Sequence, residues 1–246
     1  MTRSASSNRV AVVAALAVVL LAIALPRLVS GNFWLHLGVM IFINAIMALS
    51  VNVVLKTGQV SLAQAAFMGL GAYASAHFTT TFGLPFLLSF VLSGLASALV
   101  AVVLGVFILR LKGVYFILFS FALCEFSFLV AKDMEAVTGG NTGMVGIPAA
   151  TLPFLDVSFR ATGNFYYLAL GVCVLVFAGM WLVYRSPLGR AMDAVRESEL
   201  LAGATGYDPM RVKVIAFGLG ALIAGFGGSL IAHFLRYIAP FNFTFW

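Results

Sequence analysis

The chain has 246 residues, of which 63% are hydrophobic and 9% charged, and its formal net charge is +6. Soluble domains carry roughly 45–50% apolar and about 25% charged residues, so this composition, with a mean hydropathy of +1.10, describes an integral membrane protein. It excludes disordered, collagenous, disulfide-rich secreted and soluble-enzyme classes, and the scattered basic residues exclude nucleic acid as the partner of the positive charge.

A membrane helix needs about 20 mostly apolar residues. The gaps between charges predict seven spans, at about 10–26, 33–55, 60–78, 84–109, 113–131, 164–184 and 212–235. The expected fold is therefore an all-α polytopic membrane helix bundle, a single transmembrane domain over 1–246. The first span follows Arg3 and Arg9 and has the outline of a signal peptide, but no small-x-small cleavage site comes after it. The charge-free run 57–109 holds two spans with a turn near 79–85. With the N-terminus cytoplasmic, the inner segments hold ten basic residues: Arg3, Arg9, Lys56, Arg110, Lys112, Arg185, Arg190, Arg196, Arg211 and Lys213. The outer segments hold four, Arg27, Lys132, Arg160 and Arg236. Positive charge collects on the cytoplasmic side, so 132–163 is expected to be an outer loop and 185–211 a cytoplasmic one.

Lipid supplies no hydrophobic force between helices, so close approach through small residues matters. The fourth span places Ser89, Ser93, Ser97, Ala101 and Gly105 at every fourth position; the seventh has Gly220, Ala224 and Gly228; the third has Ala65, Gly69, Ala72 and Ala76. These stripes read as packing seams. Cys124 and Cys173 lie inside apolar runs, with neither a disulfide framework nor a metal spacing, and read as small hydrophobes.

Four places carry other chemistry. In the first, Gly58, Gln59, Ser61 and Gln64 crowd the start of the third span, and Gly69 and Gly71 weaken it further on. A broken membrane helix is tolerated where it is buried in protein or lines a cavity. Gln59, Ser61 and Gln64 therefore read either as a wall of a translocation pathway or as a cytoplasmic-end cap with tight packing. The second is Glu125, the only acidic residue inside a span. Intramembrane carboxylates face a bundle interior or water. A hydrogen-bond anchor is the favoured reading over a proton relay, because no second titratable group lies at similar depth. His36, His77 and His233 fall near span ends, where an interfacial position is expected.

The third place is 138–148 in the outer loop, with Thr138, Gly139, Gly140, Asn141, Gly143 and Gly146. Its glycines predict a flexible, tightly turning segment. It is not a phosphate loop, since no GxxxxGK[ST] occurs in the chain, so any ATP energy must come from a partner. The fourth is the inner loop. Ser186-Pro187 is a helix start, Gly206 a helix stop, and Asp208-Pro209 a second start. One helix is expected from 187 to about 205. Its apolar end, Leu200 to Ala204, stands among Arg196, Glu197 and Glu199, the pattern of a docking surface with a charged rim. A helix resting on lipid headgroups is the other reading.

Together these residues resemble the permease subunits of branched-chain amino acid ATP-binding cassette (ABC) importers, the LivM-type subunit most closely. The matching pieces are GQVSLAQAAFMGLGAY at 58–73, GVYF at 113–116 leading to Glu125, TGGNTG at 138–143 with GIP at 146–148, and SPLGRA at 186–191 running through RESE at 196–199 and ATG at 204–206 to Lys213. The family often has Gly-His where Ala63-Gln64 stand here. It also continues past this point with further spans and a Gly-rich segment, so the resemblance implies a truncated or shortened member. It implies one half of a heterodimeric channel in the cell inner membrane, with a sister permease subunit, two ATP-binding subunits inside and an extracytoplasmic solute-binding protein outside. It implies no covalent chemistry and no cofactor in this chain, ATP and Mg being used by the ATPases. Translocation would be by alternating access, with Gln59, Ser61, Gln64 and Glu125 on the pathway, the Thr138–Gly143 segment near the outer gate, and Glu199, Leu200, Ala204 and Gly206 coupling to the ATPase. Leu, Ile or Val is the expected substrate. Urea and amide permeases share the motifs and stand as the alternative. An ion-coupled secondary transporter would need an intramembrane charge pair, and a membrane-embedded enzyme a cluster of His, Asp or Cys at one depth; neither pattern is evident.

Overall fold

The computed structural model describes residues 20–24, 26, 31–152 and 157–243. Most of the predicted span at 10–26, together with Arg3, Arg9 and Arg27 of the charge count, lies outside the described residues. The long helices are α1 (Asn32–Leu55), α2 (Gln64–Thr80), α3 (Phe86–Ile108), α4 (Val114–Asp133) and α5 (Thr162–Arg185). Two short helices follow, α6 (Pro187–Glu197) and α7 (Glu199–Ala204), and then α8 (Pro209–Leu235). Helices α1, α3, α4, α5 and α8 are each long and apolar enough to cross a membrane. In lipid every backbone N–H and C=O must be satisfied within the protein, and a continuous helix does that for an apolar run.

Helix α2 departs from expectation. It begins at Gln64 rather than near residue 60, and has 17 residues. The physical reason lies in Gly58, whose φ of +82° is left-handed and ends α1 in a turn. Residues 59–61 then run without helix before α2 starts.

Helix α8 is the axis of the packing. It lies against α3, α2 and α1, and two thirds of its most apolar stretch is buried, 67% against 17% for α4. The small residues permit this. A Cβ on Gly228 would run into the backbone of Met68 and Ala72 in α2, and one on Gly71 into the backbone of Gly225. A Cβ on Gly225 would lie 2.6 Å from Ser97 Oγ in α3, and one on Gly220 would lie 2.9 Å from Ser50 O in α1. Ser89, Ser93, Ser97, Ala101 and Gly105 are all buried, as the α3 stripe predicts. Of the α2 stripe, Gly69, Ala72 and Ala76 are buried and Ala65 is half-buried. Among the described residues there are also two short antiparallel pairs: Met144–Val145 with Tyr237–Ile238, and Thr151–Leu152 with Val157–Ser158.

Candidate functional site

The inner connection is built by caps. Ser186 Oγ accepts a hydrogen bond from Leu188 N at 3.2 Å, and Pro187 opens α6. The expected single helix is instead two. Ser198 is extended (φ −162°, ψ 116°), and its hydroxyl accepts from Leu201 N at 3.3 Å, which starts α7 afresh. A serine offers the backbone this local alternative to continuing a helix. Gly206, at φ +90°, is the left-handed stop that its position predicts. Asp208 Oδ1 then accepts from Met210 N and Arg211 N, at 3.0 and 3.2 Å, to cap α8.

Leu200 is 83% exposed and Leu201 66%; Ala204 and Gly206 are exposed beside them. This is the apolar surface expected at the end of the loop. Glu199, expected with them, does not belong to it. Its carboxylate turns inward, where Oε1 accepts from Lys213 Nζ at 2.6 Å and Oε2 lies 3.3 Å from Lys112 Nζ. The hydrogen bond from Lys213 is the chief reason that its pKa is lowered; partial burial opposes the shift, and the charges of Lys213 and Lys112 add to it. The Lys213 side chain is 4% exposed. The sequence counts it only among the inner basic residues, and no local pattern reveals a partner on a different helix.

A separate ion pair, Lys56 to Asp193 at 2.6 Å, joins the end of α1 to α6. The Gly58 turn packs on Arg196, to whose Cα a Cβ would come within 3.5 Å. Between them lies a cavity of about 210 Å³, lined among others by Thr57, Gly58, Gln59, Lys112, Arg196 and Glu199.

The three polar residues of the broken start are all buried: Gln59 8% exposed, Ser61 2% and Gln64 1%. Ser61 Oγ accepts from Ala63 N, and Leu62 N donates to Ser120 Oγ of α4 at 3.1 Å. Gln64 Oε1 accepts from Ser50 Oγ of α1 at 3.0 Å. The loop is thus tied to α1 and α4. Gln59 Oε1 and Gln64 Nε2 have no hydrogen-bond partner among the described residues. Buried unpaired amides are costly; Gln59 also lines the cavity beside Arg196, whereas Gln64 lies against Gly220 of α8. Glu125 does not join this group. It is half-buried on α4, on a different face from the buried stripe of Phe116, Ser120 and Cys124. No hydrogen bond or ion pair ties it to another described residue, so the anchor expectation lacks its partner.

The outer loop is specified by its glycines. Thr138 is buried; its hydroxyl donates toward Ala131 O and Met134 O and accepts from Gly140 N. Gly139, Gly140 and Gly143 all have positive φ, and a Cβ on Gly143 would collide with Ile238 O just beyond α8. Asn141 is exposed at the tip. The segment is therefore a tied turn rather than the flexible one expected. It also covers His233, which is 2% exposed and not interfacial. The His233 ring bonds Ser75 Oγ at 3.0 Å and Pro148 O at 2.8 Å, and Ser75 bonds Ser229 at 2.7 Å.

Between α2 and α4 runs a mostly apolar cleft of about 360 Å³. Its walls include Gly69, Tyr73, His77, Ser127 and Phe128, and Thr138 and Phe243 also line it. Tyr73 closes the 58–73 motif without a role of its own there, and Ser127 reads locally as one more residue of an apolar helix. The Tyr73 hydroxyl is buried without a partner among the described residues.

The chain matches the family model described as the permease component of branched-chain amino acid transport systems, over residues 33–246. It is 31% identical over 252 residues to the high-affinity branched-chain amino acid transport system permease protein LivM of Salmonella typhimurium (strain LT2), covering 94% of this chain and 59% of that one. It is likewise 31% identical over 251 residues to the LivM permease protein of Escherichia coli (strain K12), covering 93% and 59%. The chain thus spans about three fifths of the length of the curated relatives it matches. No solved structure matches it. The chain belongs to the branched-chain amino acid transport permease family, and is an all-α membrane protein of that family.

Proposed function

We propose that this permease-family chain is the membrane-embedded half of an ABC importer that carries Leu, Ile or Val across the cell inner membrane. It works beside a sister permease subunit, is driven by two separate ATPases at its cytoplasmic face, and receives substrate from an extracytoplasmic solute-binding protein. The chain does no covalent chemistry and needs no cofactor of its own. Its relatives carry branched-chain amino acid transport in their names; the transfer of that substrate to this chain is the proposal.

The observation that carries it is the inner end. An exposed apolar surface, Leu200, Leu201 and Ala204, stands on two capped helices that ion pairs join to α1, to the head of α4 and to α8. Apolar anchors at the centre of an interface carry most of its energy. The neighbouring Ser198 and Glu199 line the cavity, as does Gln59, whose amide oxygen is buried without a partner among the described residues. Docking at the surface is thereby connected to the broken start of α2. The outer turn at Thr138, Gly139, Gly140, Asn141 and Gly143 would sit at the outer gate. A branched aliphatic side chain suits the apolar cleft between α2 and α4. A urea or amide permease remains the second reading, favoured by the unpaired amides Gln59 and Gln64.

Ala204→Arg tests the docking face. It is expected to abolish ATPase retention in a detergent pull-down and ATP-driven uptake in liposomes, while insertion and pairing with the sister subunit persist. Arg190→Ala is expected to change either by less than about threefold, because an exposed charge contributes roughly 0–1 kcal/mol. Full ATPase retention by Ala204→Arg would leave α7 as a headgroup-lying helix. Competition of labelled leucine uptake by isoleucine and valine against urea separates the two substrates.

A further inference from the structure

We propose that Glu199 is a positioning residue that ties the Leu200–Leu201–Ala204 surface to the bundle, through a buried arm to Lys213 of α8 and an exposed arm to Lys112 at the head of α4. The proposal rests on the reading of that surface as an ATPase docking face.

Helix α7 has six residues and buries one of them, Ala202. One methyl side chain cannot hold a docking surface in a fixed orientation against an applied load; a surface so weakly seated would slide rather than move what lies behind it. The Glu199 carboxylate supplies the missing hold. Each of its oxygens faces a different lysine, and the two lysines belong to different parts of the bundle.

The arms are not equivalent. Lys213 is 4% exposed, and a buried ammonium without its counter-charge is strongly unfavourable, so this arm stays made and moves α8 with α7. Lys112 is 74% exposed, and such a contact is weak and easily exchanged for water. Gly113 follows it with φ +56° and open space where a Cβ would go, which lets the head of α4 turn. Lys112 and Glu199 both line the cavity that also holds Gln59. Making or breaking the exposed arm therefore narrows or widens that cavity while α7 remains tied to α8.

The test uses the complete assembly in liposomes, with ATP hydrolysis and leucine uptake measured in the same vesicles and ATPase retention measured by pull-down. Glu199→Gln is expected to lower uptake per ATP at least fivefold while ATPase retention stays within twofold. Lys112→Gln, at an exposed position, is expected to lower uptake per ATP two- to threefold. Glu199→Lys combined with Lys213→Glu is expected to recover at least half of the coupling that Glu199→Lys loses. Wild-type uptake per ATP in Glu199→Gln overturns the proposal. So does loss of ATPase retention in that variant, which would make Glu199 a docking contact and leave the proposed function standing. Should Glu199→Gln fail to insert, unchanged uptake per ATP in Lys112→Gln overturns it. If wild-type protein retains no ATPase, the functional reading falls and takes this proposal with it.

Discussion

A carboxylate set between two ammonium groups responds to pH in one direction. The pKa of Glu199 is lowered, first by the hydrogen bond from Lys213 and then by the charges of Lys213 and Lys112, against an opposing desolvation. A group whose folded pKa is depressed stabilises the fold above its unfolded value, about 4.3 for Glu, and that contribution disappears as pH falls through the folded value. The gap in thermal midpoint between wild type and Glu199→Gln should therefore be full at pH 7 and shrink as pH falls below about 4.3, the unfolded value. Breaking a fully buried pair costs about 3–5 kcal/mol. Glu199 is 37% exposed, so solvent screening brings the expected loss at pH 7 down to about 1–2 kcal/mol. Detergent-solubilised protein melted across that pH range checks both sign and size. A constant gap at all pH values would mean that Glu199 acts through packing alone. At this scale the sequence exposes half of the pair. Glu199 stands in a charged loop and is singled out there as a candidate for coupling, whereas Lys213 counts only among the inner basic residues, because its partner lies on a different helix. The Ser198 cap was within reach of the sequence, since serine before an acidic residue is a start signal; Gly206 as the only stop hid it.

At the scale of elements, α8 depends on lacking side chains. Gly228 meets the backbone of α2, and a backbone cannot step aside as a flexible side chain can. Gly228→Ala is expected to destabilise by about 1–3 kcal/mol, the ordinary cost of overpacking. Gly171 on α5 has open space where its Cβ would go, so Gly171→Ala is expected to be neutral or to stabilise by up to about 1 kcal/mol through the better helix propensity of alanine. Thermal midpoints of the two variants against wild type decide it, and equal shifts would sink the close-packing account of α8. The every-fourth-residue stripe on α3 announces this seam from sequence because it is a property of one helix. The late start of α2 was not announced. Apolar Val60 and Leu62 continue the hydrophobic run, while the left-handed Gly58 and the Leu62-to-Ser120 bond are what keep 59–61 out of the helix.

For the whole molecule, the two ends differ in what holds them. At one end lie the ion pairs of Lys56 with Asp193 and of Lys112 and Lys213 with Glu199. At the other lie glycine turns, the Met144–Val145 pairing with Tyr237–Ile238, and the His233 bond to Pro148. The basic residues Lys56, Lys112 and Lys213, which the charge bias assigns to the cytoplasm, thus gather at one end through contacts far apart in sequence. Lysine and arginine are retained on the cytoplasmic side during insertion, so that end should face inward. Thr142 is exposed on the outer turn, and a cysteine there should react with a membrane-impermeant thiol reagent added outside intact cells. Ser198 is half-buried and caps α7, so Leu200 is the better inner probe; Leu200→Cys should react only after the membrane is opened. The native Cys124 and Cys173 are both buried, which keeps the background of wild-type protein low. Labelling of Leu200→Cys from outside, with Thr142→Cys protected, would put the apolar α7 surface where no ATPase can reach it, and the coupling proposed for it would then have no source of energy.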